Sequence, residues 1–294
     1  MALPGAAYCA FCGGLLHVEP HVSVERSIPV PDPERLDGPC SVIYAGEGEM
    51  DVRRVGRLVA EAVERPLPDV TREMRTSKGF LATGLGAGKA VLLARRAEEE
   101  LRAPVLVLPD DAVVPLPPAL RMRQVEITGG GLRCEAYAWD QSEEVKAGWD
   151  QMFLISCGRL EIQEAVEARE ESVNSSHFMS RRIPGLVMQK SYEFLLDIVL
   201  FDPWRRLRMD QNTAAFSLTE LRQQPGAALG SLYRSATNLD RFAEGVPMNR
   251  GLALLAAGGA EAAWEPLTFL NKRDFDSYTY WLLQLVRYGR PIPG

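Results

Sequence analysis

The sequence predicts an α+β protein assembled from several modules. Three observations carry that prediction. Three proline-rich stretches divide the chain: Ile28–Pro33, Val113–Pro118 and Arg181–Gly185. Between the first two, apolar residues recur at helical spacing, and beyond the second the apolar period falls to two. Proline fixes φ and lacks a backbone donor, so such runs favour extended connectors over helices or central strands.

With 294 residues the chain has room for about two ordinary domains. It is 46% hydrophobic and 24% charged, enough apolar content to bury a core and too much for wholesale disorder. The expected units are residues 1–38, a small Cys-pair element with an extended linker; 39–111, an α/β sandwich; 112–220, a β-rich module; and 221–294, a C-terminal helical region. Residues 39–111 are expected to fold by themselves.

In the second unit Ser41–Tyr44 reads as a short strand. Asp51 is placed to cap the next helix, in which Val52, Val55, Val59, Ala62 and Val63 share a face. Leu67–Met74 suggests a second short helix, and Gly79–Leu81 an inner strand. Ala90, Leu93, Ala94, Ala97 and Leu101 form another apolar stripe, and Val105–Leu108 a buried strand. The expected order is β-α-α-β-α-β. In the third unit Gln124–Thr128, a Gly129–Gly131 turn and Leu132–Trp139 read as a hairpin. Glu144-Val145, Gln151–Ser156, Trp204–Met209 and Ala214–Leu218 add short strands, Tyr192–Phe201 is a buried strand or helix, and a polar stretch begins near Glu164 and is closed by the third connector. Three helical stripes follow: Leu229 to Phe242, Leu252 to Ala257, and Tyr278 to Val286 with Asp274 or Asp276 before it. Gly289 and Pro291 supply the last stop.

Leu58 to Leu67, Val70, the Gly79–Gly84 turn and Ala90 to Leu101 resemble the C-terminal domain of the bacterial ribosomal stalk protein over about 70 residues. Glu64–Val70 stands at that domain's first turn and Thr83-Gly-Leu85 at its second. The resemblance implies a shape; the family's lysine-rich factor-binding face is largely absent, so ribosomal function is not carried over. The strand count of the third unit, followed by a helix, is similar to a small pleckstrin-homology-like barrel.

Charge narrows the partners. Lys plus Arg number 33 against 39 Asp plus Glu, a net charge of −6, which disfavours a protein that coats DNA. No apolar run approaches the roughly 18 residues needed to span a bilayer, and the start of the chain has no signal-peptide pattern, so a cytoplasmic location is expected. Five cysteines in so long a chain are no disulfide framework. Only five of the basic residues are Lys, as GC-rich, bacterial-like coding would give.

Cys9-Ala-Phe-Cys12-Gly13-Gly14 is the sharpest motif. Two thiolates two residues apart can face one metal, and these six residues resemble the first knuckle of zinc ribbons. A tetrahedral zinc site needs four ligands, and no second Cys-x-x-Cys exists; His17, His21 and Cys40 are the available completions. Bound zinc, a degenerate ribbon and a redox pair all stay open. Gly84–Ala90 departs from a phosphate loop at Thr83 and Ala90, so it reads as a glycine turn entering a helix and no nucleotide cofactor is expected.

Arg205, Arg206 and Arg208 are candidate binding residues. On a strand Arg206 and Arg208 share a face able to hold a phosphate or an acidic partner, with Asp202 and Asp210 as nearby counter-charges. Trp139 and Trp149, each in Trp-Asp-Gln, are expected to pack together as core. His177 lies among hydroxyls without an elbow or an orienting acid, and no Gly-x-Ser-x-Gly occurs. Cys134 and Cys157 read as inert thiols. No catalytic constellation is complete, so the chain leans away from an enzyme. The expected function is a non-catalytic protein-interaction or adaptor protein. The alternatives are a nucleic-acid- or ribosome-associated factor, and an enzyme whose carboxylate or Cys site is not readable from sequence.

Overall fold

The structure is a computed structural model that describes residues 32, 35–46, 50–138, 141–167, 186–210 and 227–293. Helices and strands take up 42% and 37% of it, and all but two strand pairings are antiparallel, so the fold is α+β.

The first part runs β1 (Pro39–Tyr44), α1 (Val52–Val63), α2 (Leu67–Ser77), β2 (Phe80–Gly86), α3 (Ala87–Leu101) and β3 (Val105–Pro109). That is the β-α-α-β-α-β order expected from the sequence. Antiparallel pairing places the strands in the order β2-β1-β3. Asp51 begins α1 by accepting from the amides of Arg53 and Arg54 at 3.0 and 3.1 Å, satisfying two of the donors a helix start leaves free. Val55, Leu58 and Val59 are buried where α1 packs on α2, α3 and β2, and α3 covers β1, whose Cys40, Val42 and Ile43 are fully buried. The Gly84–Ala90 segment is the end of β2 and the start of α3, with Lys89 paired to Glu64 at 2.7 Å.

After an extended stretch through Pro118, a second sheet gathers β4 (Ala119–Thr128), β5 (Gly131–Ala138), β6 (Gln141–Ala147), β7 (Met152–Glu167), β8 (Leu186–Phe201), β9 (Trp204–Asp210) and β10 (Thr268–Phe269), in the order β10-β7-β8-β9-β4-β5-β6. Tyr192–Phe201 is strand, and β7 runs on to Glu167, into the start of the polar stretch. Glu164 pairs across to Gln189 in β8, and cross-strand pairing outweighs local polarity there. Ala214–Leu218, Trp139 and His177 lie outside the described residues. Trp149 is half-buried in a single 3-10 turn, where its indole N–H donates to the Gly129 carbonyl at 2.9 Å.

Three helices close the chain: α4 (Ala227–Phe242), α5 (Arg250–Ala257) and α6 (Lys272–Arg287). The last starts earlier than its apolar stripe suggests. Asn271 caps it by accepting from the Asp274 amide at 2.9 Å, so Asp274 and Asp276 lie inside the first turns rather than before them. Before α5, the Asn249 side chain acts as a stand-in for a strand. It accepts from the Cys157 amide and donates to the Cys157 carbonyl, both at 2.9 Å, and so seals the outer edge of β7.

The α6 helix joins the two sheets. Phe275, Leu282 and Leu285 are buried in the core. On the side toward the first part, the Trp281 indole donates to the Tyr44 carbonyl at 2.7 Å, and Tyr280 stacks on Phe80 at 4.8 Å between centroids. Gln284 clasps the connector through both the N–H and the carbonyl of Val114. Gly79 shows how close the approach is. At φ +91° it sits against Trp281, and a Cβ there would lie 2.4 Å from the indole, so glycine is required twice over. No described helix is long and apolar enough to cross a membrane.

Candidate protein-docking site

The residues singled out from the sequence do not assemble into one site. Cys9, Cys12, His17 and His21 lie outside the described residues. Cys40, the remaining candidate donor, is in the middle of the first sheet with no exposure; burial first, and then the charges of Asp110 and Asp111, push its thiol up from its ordinary value. Among the described residues no three His, Cys, Asp or Glu side chains converge on a metal position. Cys134 and Cys157 are also buried, and burial pushes the Cys134 thiol up to about 12, which makes it a poor nucleophile.

Strand β9 does place Arg206 and Arg208 on one face, but that face points inward. Arg208 binds Asp197 of β8 through two N–H groups at 2.6 Å each and reaches Asp276 of α6 at 2.6 Å. Arg206 reaches the same Asp276 at 3.0 Å and Asp197 at 3.6 Å, while its buried Nε has no partner. The counter-charges are therefore Asp197 and Asp276, whereas Asp210 lies 3.5 Å from Lys272. Arg205 faces outward and pairs with Glu143 at 2.5 Å. The sequence could not assign these pairs, because Asp197 arrives through cross-strand register and Asp276 from a helix 68 residues beyond Arg208.

A cluster of exposed positive charge lies elsewhere, on the α1–α2 helix pair. A groove of about 480 Å³ is lined by Arg53, Arg57, Leu67, Pro68, Thr71, Arg72 and Arg75, and all four arginines are exposed. The acids of the same two helices and their caps are already engaged. Glu61 pairs with Arg96 at 2.8 Å, Glu64 with Lys89 at 2.7 Å, Glu73 with Arg65 at 2.6 Å, and Asp69 with Arg72 at 3.5 Å. The Lys89 hydrogen bond holds the Glu64 carboxyl below its usual range. Of the arginines carried by these two helices, Arg53, Arg54, Arg57 and Arg75 are left without an ionic partner among the described residues.

Two of these charges are placed against local physics. Arg53 and Arg54 occupy the first turn of α1, which has no acidic residue, at the end where the helix dipole is positive. A cation there is disfavoured by about 0.3–1 kcal/mol. Leu67, 38% exposed, and Pro68 give the groove an apolar strip beside its charges. Planar guanidinium forks around an apolar strip suit carboxylates carried on a partly apolar segment.

No protein family, curated protein or solved structure matches this chain.

Proposed function

We propose that the chain is a non-catalytic protein-interaction or adaptor protein, and that the α1–α2 groove receives an acidic segment of a partner protein. The observation that carries this is the set of four exposed arginines around an apolar strip, three of them (Arg53, Arg57 and Arg75) without an ionic partner, on a protein of net charge −6. Arginine beside exposed apolar surface is the composition of interface centres. A nucleic-acid partner would be expected to bring a broader basic surface and a basic protein.

The architecture supports the same reading at the level of resemblance. The β-α-α-β-α-β order with its β2-β1-β3 sheet fits a domain like that of the stalk protein. The second sheet with its closing helices fits a pleckstrin-homology-like module in a multi-module chain. The buried free thiols Cys40, Cys134 and Cys157 fit a reducing, cytoplasmic setting.

Charge reversal tests the groove. Arg57→Glu combined with Arg75→Glu should weaken partner binding by about 2–4 kcal/mol, leave the melting curve unchanged, and flatten its salt dependence. Pull-down with the wild type and the variant, read by mass spectrometry and then by titration of the recovered partner, measures the difference. Equal capture by both proteins would sink the groove. Recovery of RNA with a steep salt slope would move the assignment to the nucleic-acid reading.

For the N-terminal element we propose a zinc knuckle built on Cys9 and Cys12. With Cys40 inside the first sheet, His17 and His21 are the donors left to complete four ligands. Elemental analysis should give one zinc per chain, lost in Cys12→Ser. A reversible Cys9–Cys12 disulfide without metal would assign the pair to redox chemistry.

A further inference from the structure

A second concavity lies on the other side of the same helix pair. It is a cleft of about 310 Å³ between α1, α2, β2 and α6, floored by Val70, Met74 and Phe80. Positions two apart on a helix point in roughly opposite directions. Val59 and Met74 therefore face this cleft while Arg57 and Arg72 face the groove.

The cleft is apolar over most of its length and oxygen-rich at one end. There Ser41 donates to the Asp110 carboxylate at 2.7 Å, and Tyr280 of α6 lies within reach of the same charge; Ser277 also lines the cleft. Among the described residues neither Asp110 nor its neighbour Asp111 has a basic partner. Their charge is felt nearby: burial first, and then Asp110, pushes the Tyr280 phenol up to about 12. At the far end Arg65 is already neutralised by Glu73 at 2.6 Å.

We propose that this cleft binds a small organic amine with an apolar body, its ammonium group held by Asp110 and the hydroxyls of Ser41 and Tyr280. An ammonium carries three donors and no acceptor, which matches one carboxylate and two hydroxyl oxygens. An anion would meet the Asp110 carboxylate, which has no basic partner, with Asp111 next to it in the chain. A neutral ligand would leave Asp110 facing apolar atoms, a desolvation cost with no return. At about 310 Å³ the cleft is at the lower end of ligand pockets, about 300–1,000 Å³, so the body is one ring or a short branched chain. This site does not depend on the docking groove.

Calorimetric titration of the full chain with benzylamine, benzyl alcohol and benzoate keeps the body constant and varies only the head charge. Benzylamine should bind, the alcohol about tenfold more weakly, and benzoate not measurably. Asp110→Asn, which keeps an acceptor for Ser41, should weaken benzylamine about tenfold, with its melting curve showing the fold intact. Val63→Trp, at a half-buried position in the apolar wall, should abolish binding of both benzylamine and the alcohol. The Arg57→Glu, Arg75→Glu protein should bind benzylamine as the wild type does, which separates failure here from failure of the groove. Benzoate binding as tightly as the amine, unchanged affinity in Asp110→Asn, or no benzylamine binding into the millimolar range would each overturn the proposal.

Discussion

Replacing Asp197 with Ala is expected to lower folding stability by about 3–5 kcal/mol, the cost of breaking a buried ion pair by removing one partner. Asp197 has no exposure and faces two guanidinium groups whose side chains are 3% and 7% exposed. Its removal leaves Arg208 with Asp276 alone and leaves Arg206 with even less compensation than its unpartnered Nε already implies. The Asp276 carboxylate is 37% exposed, so water can replace it, and Asp276→Asn should cost much less than Asp197→Ala. Urea unfolding of the two variants checks the ranking. A loss below about 1 kcal/mol for Asp197→Ala would show that the arginines relax to solvent.

Trp281→Ala is the second large effect, also about 3–5 kcal/mol, the usual cost of truncating a buried large aromatic. Trp281 is 7% exposed, donates to Tyr44, stacks with it at 6.4 Å, and meets Tyr278 at 5.8 Å. It therefore holds α6 to the first sheet as well as filling space. The variant should consequently unfold in two steps when followed by far-ultraviolet circular dichroism, because the parts would no longer share their main anchor. One cooperative transition of wild-type midpoint would remove Trp281 from that role. The same contacts qualify the expectation that residues 39–111 fold by themselves. That stretch has its own buried sheet, but without α6 it would expose the Tyr44 and Phe80 surfaces that Trp281 and Tyr280 cover.

Much of the first part was legible because its signals are local. The Asp51 cap, the valine stripe of α1, the alanine and leucine stripe of α3 and the apolar run Val105–Leu108 each depend on neighbours within a few residues. The Gly129–Gly131 turn with its flanking alternation was readable for the same reason, and so was the sharing of one face by Arg206 and Arg208. Side-chain period is a property of the backbone, and a sequence carries it directly.

Partners were not legible, because they are brought by folding. The sequence shows two arginines on one face of β9, but only cross-strand register and the packing of α6 bring Asp197 and Asp276 to them and turn a surface feature into a buried network. The arginines of α1 and α2 were in plain view, yet their excess of charge appears only when α3 draws off Glu61 and Glu64 with Arg96 and Lys89. Likewise Ser41, Asp110 and Tyr280 are far apart in the chain and meet only where α6 closes on the first sheet. The sequence by itself determined the elements and the faces they present. Tertiary structure decided which charges remain unpaired, because pairing depends on distances of a few ångströms between residues far apart along the chain.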